Sequence, residues 1–334
     1  MTRFDVYGLG NALVDMVYTV DDGFLRRHDI AKGHMTLIDE ARIDGLTKEL
    51  AERSVARTSG GSAANTLIAA QAFGATTFYS CKVADDETGH FFVDDLRSIG
   101  VATNRHRRLT EGKSGRCLIL VTPDAERTMT TFLGISDQLG HAEVDEAALR
   151  DARYLYVEGF LSSSPTATSA AVHCRAFARD HGVKSVMTLS DASMVRLFRE
   201  RLLAIMGNGV DHLFCNEEEA LDWAKTDRLD LAVNELKDIA RSVNVTLGAR
   251  GSLVVNGRER HLVAGFPVHP IDTNGAGDIY AGACLAGWSS GMPDTVAARF
   301  GNFAAAKLIT QYGARLRSAA EYRDVLEGFR RIPS

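Results

Sequence analysis

The chain has 334 residues, of which 45% are hydrophobic and 24% charged, with a formal net charge of -5. These proportions exclude a disordered or fibrous chain, and roughly three-quarters of the unfolded surface of a chain this long is buried without a disulfide or metal staple. The negative balance argues against nucleic acid, and the one dense basic cluster, Arg105-His106-Arg107-Arg108, is short and has no interleaved aromatics.

In chain order, Met1-Thr2-Arg3-Phe4-Asp5 leads without a secretory pattern into a strand-like run, Val6 to Val14. Ala64 to Phe73 reads as a small-residue helix and Thr76 to Val83 as the next strand. Gly89 to Ile99 places Phe92, Leu96 and Ile99 at helical spacing. Short β-prone runs follow at Tyr154 to Val157, Val186 to Leu189, His212 to Phe214 and Val243 to Leu247, each separated from the next by a plausible helix. Gly275 to Gly328 is largely helical. This alternation predicts one α/β domain over residues 1–334, with a Rossmann-like, mostly parallel sheet flanked by helices on both faces.

Two stretches break the rhythm, at about 16–38 and 104–133, where strand periodicity runs without long helices. Arg116 to Val121 and Arg127 to Phe132, around Pro123-Asp124, read as a hairpin. The expectation is a small β-sheet projecting from the main domain as a lid over a cleft at the carboxyl ends of the strands.

No apolar stretch reaches the roughly 18 residues of a membrane span. The five cysteines are odd in number and never form C-x-x-C, so buried free thiols in a reducing compartment are expected, with a cytoplasmic location. No cluster has zinc-ligand spacing. Gly8-Leu9-Gly10 lacks the third glycine of a dinucleotide fingerprint, because position 13 is Leu13. Gly112-Lys113-Ser114 lacks the P-loop's first glycine, because position 107 is Arg107.

The segment that carries chemistry is Asp272-Thr273-Asn274-Gly275-Ala276-Gly277-Asp278, which opens a run of Ala and Gly at helical spacing. Asn-Gly by itself signals a hairpin turn, but no second strand follows. Gly275, Ala276 and Gly277 at a helix start would point free N–H groups at one spot, an anion site of the phosphate-binding type. Asp278 beside it suits a base that deprotonates a nucleophile while the amides hold the migrating charge. The helix start is expected to depress the pKa of Asp278. Upstream, Gly60-Gly61-Ser62-Ala63-Ala64-Asn65 is a glycine pair running into a helix, which by itself fits a capped loop equally well.

Taken together, Gly-Gly-x-x-x-Asn and Asp-Thr-x-Gly-Ala-Gly-Asp resemble the paired signatures of the ribokinase-like (PfkB) family of carbohydrate and nucleoside kinases, over essentially the whole chain. Gly8 to Asp15, Leu189-Ser190-Asp191-Ala192 and Cys215 to Ala220 look most like its adenosine kinase branch. The resemblance implies an ATP-dependent phosphotransferase acting on a primary hydroxyl of a small molecule, most like the 5′-hydroxyl of adenosine or a related nucleoside. The alternatives are a sugar kinase acting on ribose, fructose or a similar polyol, and a non-catalytic ligand sensor of the same fold, against which the intact Asp278 and Asn-x-x-Glu element argue. The resemblance also implies Asp278 as catalytic base, Gly275, Ala276 and Gly277 as anion hole, and Asp15, Gly61 and Asn65 as the holders of sugar hydroxyls.

For the nucleotide it implies Asn216, Thr246, Gly248, Gly251 and Asn302, with Glu219 acting indirectly on Mg²⁺. Asn216 and Glu219 also have the spacing of a helix capping box, and the two roles are compatible. Ser62-Ala63 departs from the lysine-bearing loop of many sugar-specific members, which favours a nucleoside. Phe132, Leu133 and Phe160 are candidates to sandwich a purine. A monovalent cation, needed by some relatives, and the choice between monomer and homodimer stay open.

Overall fold

The computed structural model describes residues 4–33, 35–104, 110–124 and 126–332, so the basic cluster at 105–108 lies outside the described residues. Fourteen strands occur among them. They are β1 (Phe4–Leu9), β2 (Leu13–Thr19), β3 (Met35–Leu37), β4 (Ser54–Gly60), β5 (Thr77–Ser80), β6 (Ala102–Thr103) and β7 (Gly115–Val121). The remainder are β8 (Arg127–Phe132), β9 (Ala152–Glu158), β10 (Lys184–Thr188), β11 (Val210–Asn216), β12 (Ala240–Thr246), β13 (Ser252–Asn256) and β14 (Glu259–Val263).

The large sheet has the order β14-β13-β12-β11-β10-β9-β1-β5-β6, parallel from β12 to β6, with β13 and β14 added as an antiparallel hairpin. Its central strands are buried on both faces and read as near-continuous apolar runs. Helices Ser62–Ala72, Glu87–Ile99, Ala276–Ser289, Asp294–Leu308 and Ala319–Arg330 pack on one face, and Pro165–Asp180, Ala192–Met206, Glu217–Ala224 and Leu229–Leu236 on the other. No helix among the described residues is long and apolar enough to cross a membrane. All five cysteines are buried and free.

The run Val6 to Val14 is two strands rather than one. β1 ends at Leu9 in the large sheet, and β2 starts at Leu13 in a second sheet of order β3-β8-β7-β2-β4. The change of sheet happens at Gly10, where a Cβ would lie 2.6 Å from that of Ala63 and 2.8 Å from the Tyr79 hydroxyl. Apolar residues resume at Ala12 directly after Gly10-Asn11, so the pattern reads as one run.

The second sheet also reaches beyond the expected 16–38 and 104–133 segments. It begins at Leu13 and includes β4, whose polar Ser-Val-Ala-Arg-Thr-Ser-Gly sequence lies at an edge and has no clean alternation. The segment Arg116 to Phe132 forms the antiparallel β7–β8 pair. One face of this sheet packs on helices Asp22–Arg27 and Glu40–Glu49 through Tyr18, Phe24, Ile43, Leu46, Leu118 and Leu120. The other face looks into a cleft.

Candidate active site

A cleft of about 740 Å³ opens where the parallel strands end, between the two sheets. The chain winds one way from β1 to β5 and β6 and the other way from β9 to β12. Neighbouring β1 and β9 are therefore the topological switch point, where open α/β sheets bind ligands. Lining the cleft are Asp15, Gly61, Asn65, Asn216, Glu219, Thr246, Gly248, Gly275, Ala276, Gly277 and Asp278. Residues from opposite ends of the sequence are thereby brought to one place.

Asp278 lies in the first turn of Ala276–Ser289. The Ser62 hydroxyl donates to its Oδ1 at 2.7 Å, and the Asn65 amide Nδ2 donates to its Oδ2 at 3.2 Å. Burial pushes its pKa up to about 6, against the lowering effect of those two bonds. This reverses the sequence expectation of a depressed value. The helix start acts locally, whereas desolvation is set by the surrounding packing and dominates here.

Gly275 caps this helix at φ 73°, with the Ala314 carbonyl packed where a side chain would stand, so only glycine fits. The Ala276 N–H donates to the Thr273 carbonyl at 3.2 Å. Among the described residues the Gly275 and Gly277 amides make no such backbone bond, and Gly277 faces open space. The Asp278 N–H likewise makes no such bond among the described residues, so the free donors at this helix start are those of Gly275, Gly277 and Asp278.

The loop is held from behind by Asp272. Its Oδ1 accepts the Asn274 N–H at 3.0 Å, its Oδ2 accepts the Gly313 N–H at 2.7 Å, and Arg127 of β8 forms an ion pair with it at 2.7 Å.

On the other wall, the Asp15 carboxylate rests on Gly60, where any Cβ would overlap it. Burial raises its pKa to about 7; Arg315 and Arg127 oppose the shift and Asp278 adds to it. Gly61, at φ 96°, caps helix Ser62–Ala72 without a side chain. Glu158 supplies the missing acceptor, since its Oε2 accepts the Ala63 N–H and its Oε1 the Asn11 N–H, both at 2.7 Å. Fully buried at the end of β9, Glu158 is pushed up to about 7 by burial, with those amide bonds opposing.

Asn216 and Glu219 form the capping box of helix Glu217–Ala224. The Asn216 Nδ2 donates to Glu219 Oε1 at 2.7 Å, and the Glu219 N–H donates to Asn216 Oδ1 at 2.8 Å. Burial raises Glu219 to about 7. Thr246 ends β12, and Gly248 follows at φ 59° beside open space.

Two expected ligand residues are not in the cleft. Asn302 is buried and donates to the Val263 and Ala264 carbonyls at 2.9 and 3.2 Å, tying down the end of β14. Gly251 is a turn residue at φ 98° whose carbonyl accepts the Leu247 N–H at 2.8 Å. Leu133 and Phe160 line the cleft, whereas Phe132 does not and instead lies under the Arg116 guanidinium.

Sequence reasoning passed over Ser62 and Glu158. The first stood inside a quoted motif, and a carboxylate ending an otherwise apolar strand was an available signal for the second. For Arg127 and Asp272 as partners no sequence signal existed.

Residues 33–320 match the pfkB family carbohydrate kinases. The chain belongs to this family. A solved adenosine kinase from Sinorhizobium meliloti is 36% identical, with a TM-score of 0.87 over 96% of this chain and 99% of that one. A probable sugar kinase from Rhizobium etli is 34% identical, with a TM-score of 0.89 over 98% of this chain and 100% of that one. Among characterised relatives, the ATP-dependent ribose-1-phosphate kinase of Halopiger xanaduensis is 28% identical over 87% of this chain and 95% of its own length. Adenosine kinase of Dictyostelium discoideum is 26% identical over 94% and 97%. This pfkB protein is an ATP-dependent kinase of the carbohydrate and nucleoside class.

Among the described residues, no group of three or more His, Cys, Asp or Glu side chains is arranged to hold a metal. Glu219, with both oxygens engaged by Asn216, suits a Mg²⁺ ion carried by nucleotide phosphates and water better than direct ligation.

Proposed function

We propose that this kinase moves the γ-phosphoryl group of ATP to a primary hydroxyl of a nucleoside, the 5′-hydroxyl of adenosine or a close relative. The observation that carries this reading is the face of the second sheet. Register puts Asp15, Cys117, Thr131 and Leu37 in one transverse row, and Ile119, Met129 and Met35 in the next. Leu133 and Phe160 complete the wall. A carboxylate able to accept two vicinal hydroxyls therefore adjoins an apolar plate. A purine gains by leaving water for such a surface, whereas a sugar that presents hydroxyls on every edge does not. The similarity to the Sinorhizobium meliloti adenosine kinase points the same way.

In this reading Asp15 and Asn65 hold the ribose hydroxyls, and Gly61 lets the backbone approach them. Asp278 accepts the proton of the acceptor hydroxyl. A pKa of about 6 leaves it mostly ionised at neutral pH while keeping it a competent base. The amides of Gly275 and Gly277, with the helix behind them, stabilise charge on the transferring group. Asn216, Thr246 and Gly248 face the nucleotide, and Gly251 and Asn302 support that wall from behind. Asn216 and Glu219 would hold the water shell of Mg²⁺, which supplies charge neutralisation of the phosphates when bound. The second sheet closes over the acceptor and excludes water that would otherwise hydrolyse ATP.

The second reading is a sugar kinase, favoured by the similarity to the Rhizobium etli protein. ADP release measured across a panel of nucleosides and sugars separates the two. Adenosine or a related nucleoside should give the highest kcat/KM, and a ribose, fructose or sugar phosphate that outperforms every nucleoside refutes the proposal.

A further inference from the structure

Three consecutive residues after helix Asp294–Leu308 touch both sides of the cleft. Gly313 donates its N–H to Asp272 Oδ2 at 2.7 Å, and Asp272 holds the loop that leads to Asp278. The Ala314 carbonyl packs against Gly275, at the position a side chain there would need. Arg315, with only 11% of its side chain exposed, forms an ion pair through Nη2 with Asp95 Oδ2 at 2.9 Å and donates through Nη1 to Ser59 Oγ at 3.2 Å.

Asp95 Oδ2 also accepts the Ser59 N–H at 3.0 Å and its hydroxyl at 2.5 Å. Ser59 precedes Gly60, on which the Asp15 carboxylate rests. Just upstream, the Tyr312 ring lies under the guanidinium of Arg127, the β8 residue paired with Asp272. One short segment therefore spans the phosphoryl cradle and the two lid strands β4 and β8.

We propose that Arg315 is a positioning residue that couples the acceptor side of the cleft to its phosphoryl side. Through Ser59 and Asp95 it fixes the strand under Asp15, and through its neighbours Gly313 and Ala314 the same chain segment fixes the cradle at Gly275. The inference rests on the reading that Asp15 holds the acceptor. The charged groups facing Asp15 are Arg315 and Arg127, which favour its ionised form, and Asp278, which opposes it. Cys117 is its register neighbour on β7 and is held as a neutral thiol by burial. Arg315 thus has a second effect, since it supplies the leading positive charge near a buried carboxylate that must be ionised to accept two hydroxyls.

The test uses the full chain and the acceptor that the wild-type enzyme phosphorylates best. Arg315→Met should raise KM for that acceptor about tenfold while the KM for ATP changes less than about twofold. It should also move the acid limb of kcat/KM for the acceptor upward by roughly one pH unit, as loss of a nearby opposite charge does for a buried Asp. Arg315→Lys keeps the charge and loses the forked geometry. It should return the acid limb toward the wild-type position while KM stays raised, and it covers the case in which the methionine variant fails to fold. An unchanged acceptor KM and acid limb in the variants, with only a lowered melting temperature, overturns the proposal. A wild-type protein that phosphorylates no acceptor sinks the reading of Asp15 itself, and that result is seen before any variant is made.

Discussion

An alanine at position 277 adds one methyl group in the first turn of helix Ala276–Ser289. Its Cβ meets nothing within 4 Å, and the backbone there is not in the left-handed region. The fold has no reason to resist the change, and replacing a helical glycine contributes about 0.5 kcal/mol of stability. For a chain of this size that corresponds to a rise in melting temperature of about 0.7 °C. Gly277 lines the cleft, however, and in the proposed reading its amide meets the phosphoryl oxygens, so a methyl group on the same residue crowds their approach.

The alanine keeps its N–H but would hold the oxygens off it, and full loss of one such donor typically costs about 100- to 1000-fold in kcat, or roughly 3–4 kcal/mol of transition-state stabilisation. Stability and turnover should therefore move in opposite directions. The comparison is Gly275→Ala. There φ is 73° and the Ala314 carbonyl fills the side-chain position, so strain of at least about 1 kcal/mol lowers the melting temperature along with activity. Thermal unfolding and coupled ADP release on the purified variants read both quantities. A Gly277→Ala enzyme with wild-type kcat refutes the cradle, and one that melts well below wild type refutes the claim that the space is open.

Three further outcomes follow from the site. Asp278→Asn should reduce kcat about 100- to 10,000-fold by removing the base, with ATP affinity by calorimetry nearly unchanged; near-normal turnover refutes the assignment. Ser62→Ala removes the 2.7 Å bond to Asp278 Oδ1, one of the two that lower its pKa. With acceptor saturating, so that its hydroxyls already hold Asp15 ionised, the acid limb of kcat should move upward by roughly one unit, and an unmoved limb counts against Asp278 as the titrating group. Burial holds Asp15, Glu158 and Glu219 at about 7 and Asp278 at about 6. The folded state thus keeps protons that an unfolded carboxylate releases near about pH 4, and stability should fall as pH rises from about 4 to about 7 and then level off. A melting temperature that increases steadily from pH 5 to pH 8 contradicts this.

The sequence determined what one or two helical turns encode. Gly275 and Gly277 around Asn-Gly, followed by small residues, specify a cradle at a helix start, because the glycine conformation and the free amides are properties of that segment alone. The Asn216–Glu219 box is local in the same way, with donor and acceptor three residues apart. Alternating strands and helices likewise specified the parallel sheet, and with it the end at which the cleft lies.

Only tertiary structure could place Ser62 and Asn65 on Asp278, across 216 and 213 residues of chain. It also decided the direction in which Asp278 titrates, because desolvation comes from everything packed around a group and not from its neighbours in sequence. The same holds for Glu158, which caps a helix that starts 96 residues before it from the end of another strand. Sequence offers Asn302 as a residue bordering the nucleotide, and only the packed strands show that its amide ties down the end of β14. Bonds within a turn are written in the order of residues, whereas partners drawn from distant segments and the loss of water around a charge exist only after those segments pack.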